Sequence, residues 1–550
     1  MKTSPIDSAR GLSCSRAVWQ VSFVLGLAAG WLLGACGADD ETSTGAGGTT
    51  TTTTGGAAGE GAVGGAAGAG AVGGGGAGGA GGGIEAPCPW VGLTVSVVDY
   101  WQEGDSSWSA AIGRADGYLV EQGGGTILFP AGDYEVVPTI DMSSDIKWSG
   151  ADGARLYTQQ SALYNMVVRT AIGGSHNCIE NLVFDQWEDV AQVPQTQPNA
   201  NLCLWFHVTG DDVVFWNCTF YTYGVCAVLS QSSYQSPTNT IQVLDSTAHF
   251  RRAVDDFYDV SVFNIDGRTV RLVGNAVEAT PVEGFAHWKP RTAYEVHMPN
   301  GEVRGNRSVD TEIGILHLGW PSLWDTYEPD YVGSIDVADN ELAGTLIGID
   351  VWGASTIGGT VTRNLTIRGN EINGHLDANY VPVKGITLTD GDDADGRFEN
   401  ILIEDNLIQL TWDETLYPTW ASRVSRYYWL VPGQDTGALF MNVQDTADGI
   451  VIRNNTVTDF PFSFLNIYRR GEGIHQNIEA TGNVAHDCGW ATPYQDVDMS
   501  LVNVGRANLV HIHDNLFENP STTRLGGLNV KDAVTDLTFV DNPDLEDFSN

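Results

Sequence analysis

Val303-Arg304-Gly305-Asn306, Val337-Ala338-Asp339-Asn340, Ile367-Arg368-Gly369-Asn370 and Ile403-Glu404-Asp405-Asn406 are four copies of one pattern: an apolar strand residue, two intervening residues, then asparagine. The pattern continues at Ile452-Arg453-Asn454-Asn455, Ala480-Thr481-Gly482-Asn483, Ile512-His513-Asp514-Asn515 and Phe539-Val540-Asp541-Asn542, and begins at Leu272-Val273-Gly274-Asn275. Less regular copies end at Asn181 and Asn217, and Ser246 fills one slot. The interval is mostly about 27–36 residues, the range of stacked solenoid repeats. Asparagine tolerates the left-handed backbone of a sharp bend, and stacked asparagine amides can bond along the stack. Each asparagine is therefore expected to make the bend and carry a ladder. The Asn406 to Asn455 interval is longer and must hold an insertion.

Short period-2 strands flank the asparagines, as in Asn364-Leu365-Thr366-Ile367 and Leu509-Val510-His511-Ile512. A second strand precedes most copies: 293–298, 314–319, 347–352, 385–389, 438–444, 462–468, 501–505 and 527–531. Three short strands per coil, two of them traceable in the sequence, make an all-β single-stranded solenoid, a right-handed parallel β-helix, over residues 87–550.

Upstream of the repeats, Ser107 to Glu121 places Trp108, Ala111, Ile112, Ala115 and Leu119 on one helical face. Gly123-Gly124-Gly125-Thr126-Ile127-Leu128-Phe129-Pro130-Ala131-Gly132-Asp133-Tyr134 follows. Helix, glycine run, strand, Pro-x-Gly and Tyr in this order resemble the opening segment of the pectate lyase superfamily, which includes rhamnogalacturonase- and epimerase-like proteins. The resemblance extends over nearly all of the chain from Val91. It implies a parallel β-helix whose N-terminal helix caps the open end of the stack. It also implies a glycan lying across the sheet built by the second strands, flanked by long loops. It leaves the reaction open, because this fold hosts lyases, hydrolases, epimerases and adhesins.

Residues 1–36 read as an address. Lys2, Arg10 and Arg16 precede an apolar run from Ala17 to Leu33, and Leu33-Gly34-Ala35-Cys36 resembles a bacterial lipobox. Cys36 is then the lipidated residue and the membrane is reached through a lipid anchor. The competing readings are an ordinary signal with a chance cysteine, or a retained anchor. Residues 37–86 are a Gly/Thr/Ala-rich linker that buries nothing and behaves as a disordered tether. The chain is expected in the cell envelope or secreted.

Lys and Arg number 27 against 68 Asp and Glu, a formal charge of -41. That excludes nucleic acid as a partner, since phosphate binding needs clustered cations. The acidity permits calcium as a cofactor without requiring it, and no ligand set is legible; Asp390–Asp395 lacks EF-hand spacing. The chain reads as a monomer. There is no CxxC, so zinc is disfavoured. Cys203 and Cys226 are read either as a bridge between adjacent strands or as stacked buried thiols.

With Leu, Ile, Val and Met taken as inward, the outward file of the second strands is His207, His297, His317, Asp350, Thr387, Asn442, Asn466, Asn503 and Asn529. Catalytic candidates are His317, Asp350, His297 and Asp390. His317 and Asp350, on neighbouring coils, are expected to share a hydrogen bond that suits the imidazole to acid–base work. Glu295, Trp320, Trp352, Asn442 and Asn466 are the substrate-binding candidates. Long loops at Trp320–Tyr331, Asp390–Arg397 and Trp412–Trp429 mark the same face. Asp255-Asp256 resembles the paired aspartates of polygalacturonases, but Gly-His-Gly and Arg-Ile-Lys are missing.

Three functions follow. One is hydrolysis of a polysaccharide, with Asp350 and Asp390 as an inverting pair. Another is a lyase with His317 or His297 as base and Lys289 and Arg291 meeting a uronate. The third is glycan binding or adhesion without turnover.

Overall fold

The computed structural model describes Cys88 and residues 92–545, except 138–139, 159–167, 171–175, 187–204, 224–225, 231–239, 252–260, 282, 284–288, 319, 322–332, 353–359, 376–383, 390–396, 412–436, 443–445, 469–473, 490–499, 520–525, 531–532 and 544. The leader with Cys36, the linker, Cys203, Asp255-Asp256, Asp390 and most of the three long loops lie outside the described residues. No helix among the described residues is long and apolar enough to cross a membrane.

Strands stack into three sheets of 16, 13 and 13 strands among the described residues. All pairings are parallel except that of Trp320–Pro321 with Thr360–Arg368. Successive coils each add one strand to every sheet, so neighbours in a sheet are three strands apart in sequence except at the first pair and across Trp320–Pro321. The chain is a right-handed parallel β-helix capped at its N-terminus by a helix. In each coil, sheet 1 precedes the asparagine, sheet 2 follows it, and sheet 3 completes the turn; one such coil is Thr269–Val273, Ala276–Thr280 and Thr292–His297.

The asparagine ladder is continuous through Asn275, Asn306, Asn340, Asn370, Asn406, Asn455, Asn483, Asn515 and Asn542. Asn370 is typical. Its Nδ2 donates to Asn406 Oδ1 at 2.9 Å and to Val337 O at 2.9 Å, while its Oδ1 accepts from Asn340 N and Nδ2 at 3.1 and 2.8 Å. The ladder asparagines do not make the bend, contrary to the sequence expectation. The left-handed residue is the one before each of them: Gly305 (φ 62°), Asp339 (57°), Gly369 (62°) and Asp405 (55°). Dividing the work lets one residue reverse the chain while the next aims an amide at the neighbouring coil. Asn181 and Asn217 occupy the left-handed slot, with Leu182 and Cys218 following them. Ser246 takes the ladder slot as expected: Cys218 N donates to its Oγ at 3.1 Å, and its own N to Asn275 Oδ1 at 3.0 Å.

The capping helix runs Trp108–Glu121 and buries Ala111, Ile112, Ala115 and Leu119 against the first coils. Buried Asp116 fixes it there by accepting from Ser143 N at 3.1 Å and Ser143 Oγ at 2.5 Å. Aromatic rings fill the early coils; Phe184 stacks on Phe220 at 5.3 Å and Phe263 on Tyr294 at 5.9 Å. Aliphatic files dominate the middle coils, and rings return near the C-terminal end, where Phe464 meets Phe517 at 5.5 Å.

Cys88 and Cys178 form a disulfide spanning 90 residues of sequence. The sequence left both without a partner. The bridge packs with Val214 and Leu244 in a small apolar cluster separate from the main core. Glu180 lies beside it, paired to Lys147 at 2.7 Å, so the sulfurs and this carboxylate are a covalent staple with an ion pair rather than a set of metal ligands. Closing a loop of this length is worth about 4.6 kcal/mol in the chain-entropy account. Reduction is expected to lower unfolding free energy by about that amount, read as the shift in denaturation midpoint between oxidised and reduced protein.

Candidate active site on sheet 3

The strands Ser261–Asp266, Thr292–His297, Ile313–Leu318, Ile347–Trp352 and Lys384–Thr389 pair in register along sheet 3. Register places Asn264, Glu295, Leu316, Asp350 and Thr387 in one file and Asp266, His297, Leu318, Trp352 and Thr389 in a second. Between them runs Ile265, Val296, His317, Val351 and Leu388, every member buried. Near their start these strands depart from strict alternation. A side chain on Gly348 would meet Ile372 Cγ2 of sheet 2 at 2.6 Å, although the next residue, Ile349, is also in the core. Two successive positions therefore face inward, and the first has no room for a Cβ.

His317 belongs to the core file, which corrects the expectation that it faces outward beside Asp350. It is 1% exposed, and its Nε2 lies 3.2 Å from Met298 O. Burial drives its pKa down to about 4, so it is neutral in the fold. The strand Ile313–Leu318 is apolar on both parities, and only the register against Val296 and Val351 decides which side His317 takes. The sign of its pH effect follows. The unfolded chain takes up a proton near pH ~6.5 while the folded chain resists until about pH 4, so stability falls as pH drops across that window, by ~3 kcal/mol. A His317→Leu variant is expected to retain function and to show a smaller drop in melting temperature between pH 7 and pH 4.5 than the unmodified chain.

Asn442 is also displaced from its expected file. It pairs with Thr389 and Tyr468, in the second file, whereas Phe440 and Asn466 continue that of Asp350. Asn466 is 4% exposed. Asn503, next in that file, spends its amide on Ser463 Oγ at 3.0 Å and Ser500 O at 2.8 Å. Lys289 is not presented to a uronate: it is 1% exposed, its Nζ bonded to Asp310 Oδ1 at 3.2 Å and Gly344 O at 2.9 Å. The Trp320 side chain and Asp390 lie outside the described residues.

What sheet 3 does bring together is a cluster of carboxylates. Asp266, which the sequence reading passed over, lies with its Oδ1 3.3 Å from His297 Nδ1. The other ring nitrogen, Nε2, is 3.0 Å from Glu295 Oε1, and Ser261 Oγ donates to Glu295 Oε2. One signal could have revealed Asp266: with Phe263 and Ile265 inward, alternation puts Asn264 and Asp266 outward. Asp350 accepts from Thr389 Oγ1 at 3.3 Å.

The environments of the two carboxylates in one file pull their pKa values apart. Burial pushes Asp350 upward, and the charges of Lys384 and Arg291 with the threonine hydroxyls only partly oppose it. Burial acts the same way on Glu295, but the hydrogen bond and charge of His297, the bond from Ser261 and the charge of Arg291 outweigh it and leave Glu295 below its usual range. Burial also raises Asp266 to about 6. Glu295 and Asp350 are separated by one coil, that of Leu316, so their Cα atoms are ~9.6 Å apart at ~4.8 Å per coil. The coil between them presents buried Leu316 in one file and half-buried Leu318 in the other, with Trp352 beside Asp350. The site is thus an apolar floor with a carboxyl group at either side.

Solved structures supply the comparison. The chain matches a tailspike protein of the E. coli bacteriophage HK620, in a double-mutant form, with TM-score 0.52 and 13% identity over 80% of this chain and 78% of that one. A single-mutant form of that tailspike in complex with a pentasaccharide matches with TM-score 0.50 and 13% identity over 80% and 78% of the two chains. The surface adhesin PfbA of Streptococcus pneumoniae matches with TM-score 0.44 and 12% identity, over 74% of this chain and 96% of that one. No family model matches the sequence, and no curated protein matches it either. At these identities the likeness is one of fold.

Proposed function

We propose that this chain is an extracellular carbohydrate-active protein of the pectate lyase superfamily that hydrolyses a polysaccharide with inversion. Glu295 acts as general base and Asp350 as general acid. One observation carries the reading: two carboxyl groups in a single file of sheet 3, two coils apart across an apolar floor, with opposite pKa displacements. Environments that split two carboxyls in this way mark which is the acid and which the base. Inverting enzymes hold their carboxyls about 6.5–9.5 Å apart to admit a water, and side chains from Cα atoms ~9.6 Å apart reach that range. Trp352 and Leu318 give the floor an apolar patch for a sugar face. The solved tailspike that shares the fold holds a pentasaccharide. The leader suits display from the cell envelope through Cys36.

Asp390 lies outside the described residues, and the proposal takes Glu295 as the partner of Asp350 because the two share a file. The test is incubation of the purified chain with a panel of polysaccharides, with reducing-end release measured and the anomer of the first product read by NMR. Release of the inverted anomer supports the proposal. A retained anomer, or an unsaturated product absorbing in the ultraviolet, overturns it, and tight binding of intact glycan favours the non-catalytic reading.

A further inference from the structure

His297 is a ring held between two carboxylates. Asp266 faces its Nδ1 at 3.3 Å from the preceding coil, and Glu295 faces its Nε2 at 3.0 Å from its own strand. An ionised carboxylate only accepts hydrogen bonds, and a neutral imidazole carries a single N–H. The Glu295 contact is a hydrogen bond and the Asp266 contact an ion-pair approach without hydrogen-bond geometry, so charge favours either a ring bearing two protons or a neutral ring beside a protonated carboxyl. The remaining surroundings favour the first arrangement. In register on the following coil is uncharged Leu318. His317, beyond it, is neutral by burial. Arg291 and Ser261 act on Glu295, and both favour its ionised form.

We infer that Asp266 is a positioning residue that keeps His297 doubly protonated, and that this imidazolium holds Glu295 ionised and oriented. The inference rests on Glu295 being the base of the proposed reaction. It adds a control that the two-carboxyl reading lacks: the base is set by a partner two groups away. Burial raises Asp266 to about 6, so its hold on the ring is full above that pH and weakens below it. Asp266→Asn mimics the low-pH state permanently.

The experiment uses the full chain with ¹⁵N-labelled histidine, the His297 signals being assigned by their loss in His297→Gln. At pH 7 both ring nitrogens are expected at imidazolium shifts, and Asp266→Asn is expected to move at least one of them to the neutral-ring position. A ring already neutral at pH 7, or one that titrates alike with and without Asp266, overturns the inference. On a cleaved substrate, Asp266→Asn is expected to lower kcat about 10- to 100-fold at pH 7.5 and much less at pH 5, with KM nearly unchanged. Asp266→Glu is expected to recover most of the loss. An equal loss at both pH values would show a merely structural role and also overturn it. The spectra need no turnover, so failure to find a cleaved glycan sinks the proposed reaction while the state of the ring is still decided.

Discussion

Asp350→Asn and Glu295→Gln are each expected to reduce kcat by about 10²–10⁴-fold, the usual weight of a positioned acid or base, with the melting temperature little changed. Both substitutions keep the shape of the side chain and its capacity to accept a hydrogen bond, while removing the proton chemistry. The two losses should differ in character. Loss of the acid is felt most with poor leaving groups, so an aryl glycoside with an acidic phenol should partly rescue Asp350→Asn but not Glu295→Gln. The pH profile is the second readout. Glu295 must be ionised, and it stays so to lower pH than an ordinary glutamate; Asp350 must be protonated, and it stays so to higher pH than an ordinary aspartate. Activity is therefore expected to fall on both sides of a window, the alkaline limb disappearing in Asp350→Asn. Stereochemistry and these limbs can be measured on one substrate. Full activity in either single variant removes that residue from the mechanism.

Asn370→Leu is expected to be the costliest single change in the stack, at ~3 kcal/mol or more. The side chain is 1% exposed and sits mid-ladder. Its loss leaves Asn340 N and Nδ2 and Val337 O without the partners they have at 3.1, 2.8 and 2.9 Å. Each buried polar group left unmet costs about 1–3 kcal/mol. Chemical denaturation should show the loss as a lower midpoint. Asn542→Leu, at the last rung, breaks the bonds to Asn515 alone among the ladder members and should cost less. Equal effects at the two positions would mean that the ladder does not act as a chain.

The asparagine repeat, two of the three strands per coil and the amphipathic helix at Trp108–Glu121 are legible in the sequence because each follows from a local period. A one-coil repeat gives the solenoid, a two-residue alternation gives the strand, and a helical stripe gives the cap. The strands of sheet 3 were placed within a few residues; the expected 347–352 coincides with Ile347–Trp352. Orientation was legible only where one parity is polar. In Ile347–Trp352, Ile349 and Val351 alternate with Asp350 and Trp352, so the pattern itself says which residues line the core. In Ile313–Leu318, isoleucine stands on one parity and leucine on the other, so the pattern alone does not say which side His317 takes.

The sequence by itself determined that this chain coils, where it turns, and that an amide ladder runs through it, because those are properties of neighbours along the chain. Only the tertiary structure decided that His317 is core, that Glu295 shares a file with Asp350, that Asp266 meets His297, and that Cys88 reaches Cys178. Each of these joins residues between 21 and 90 positions apart or depends on such a pairing. The physical reason is register: coil length varies with the loops, so which side chains become neighbours across ~4.8 Å is set by how successive coils pair and not by any period within one.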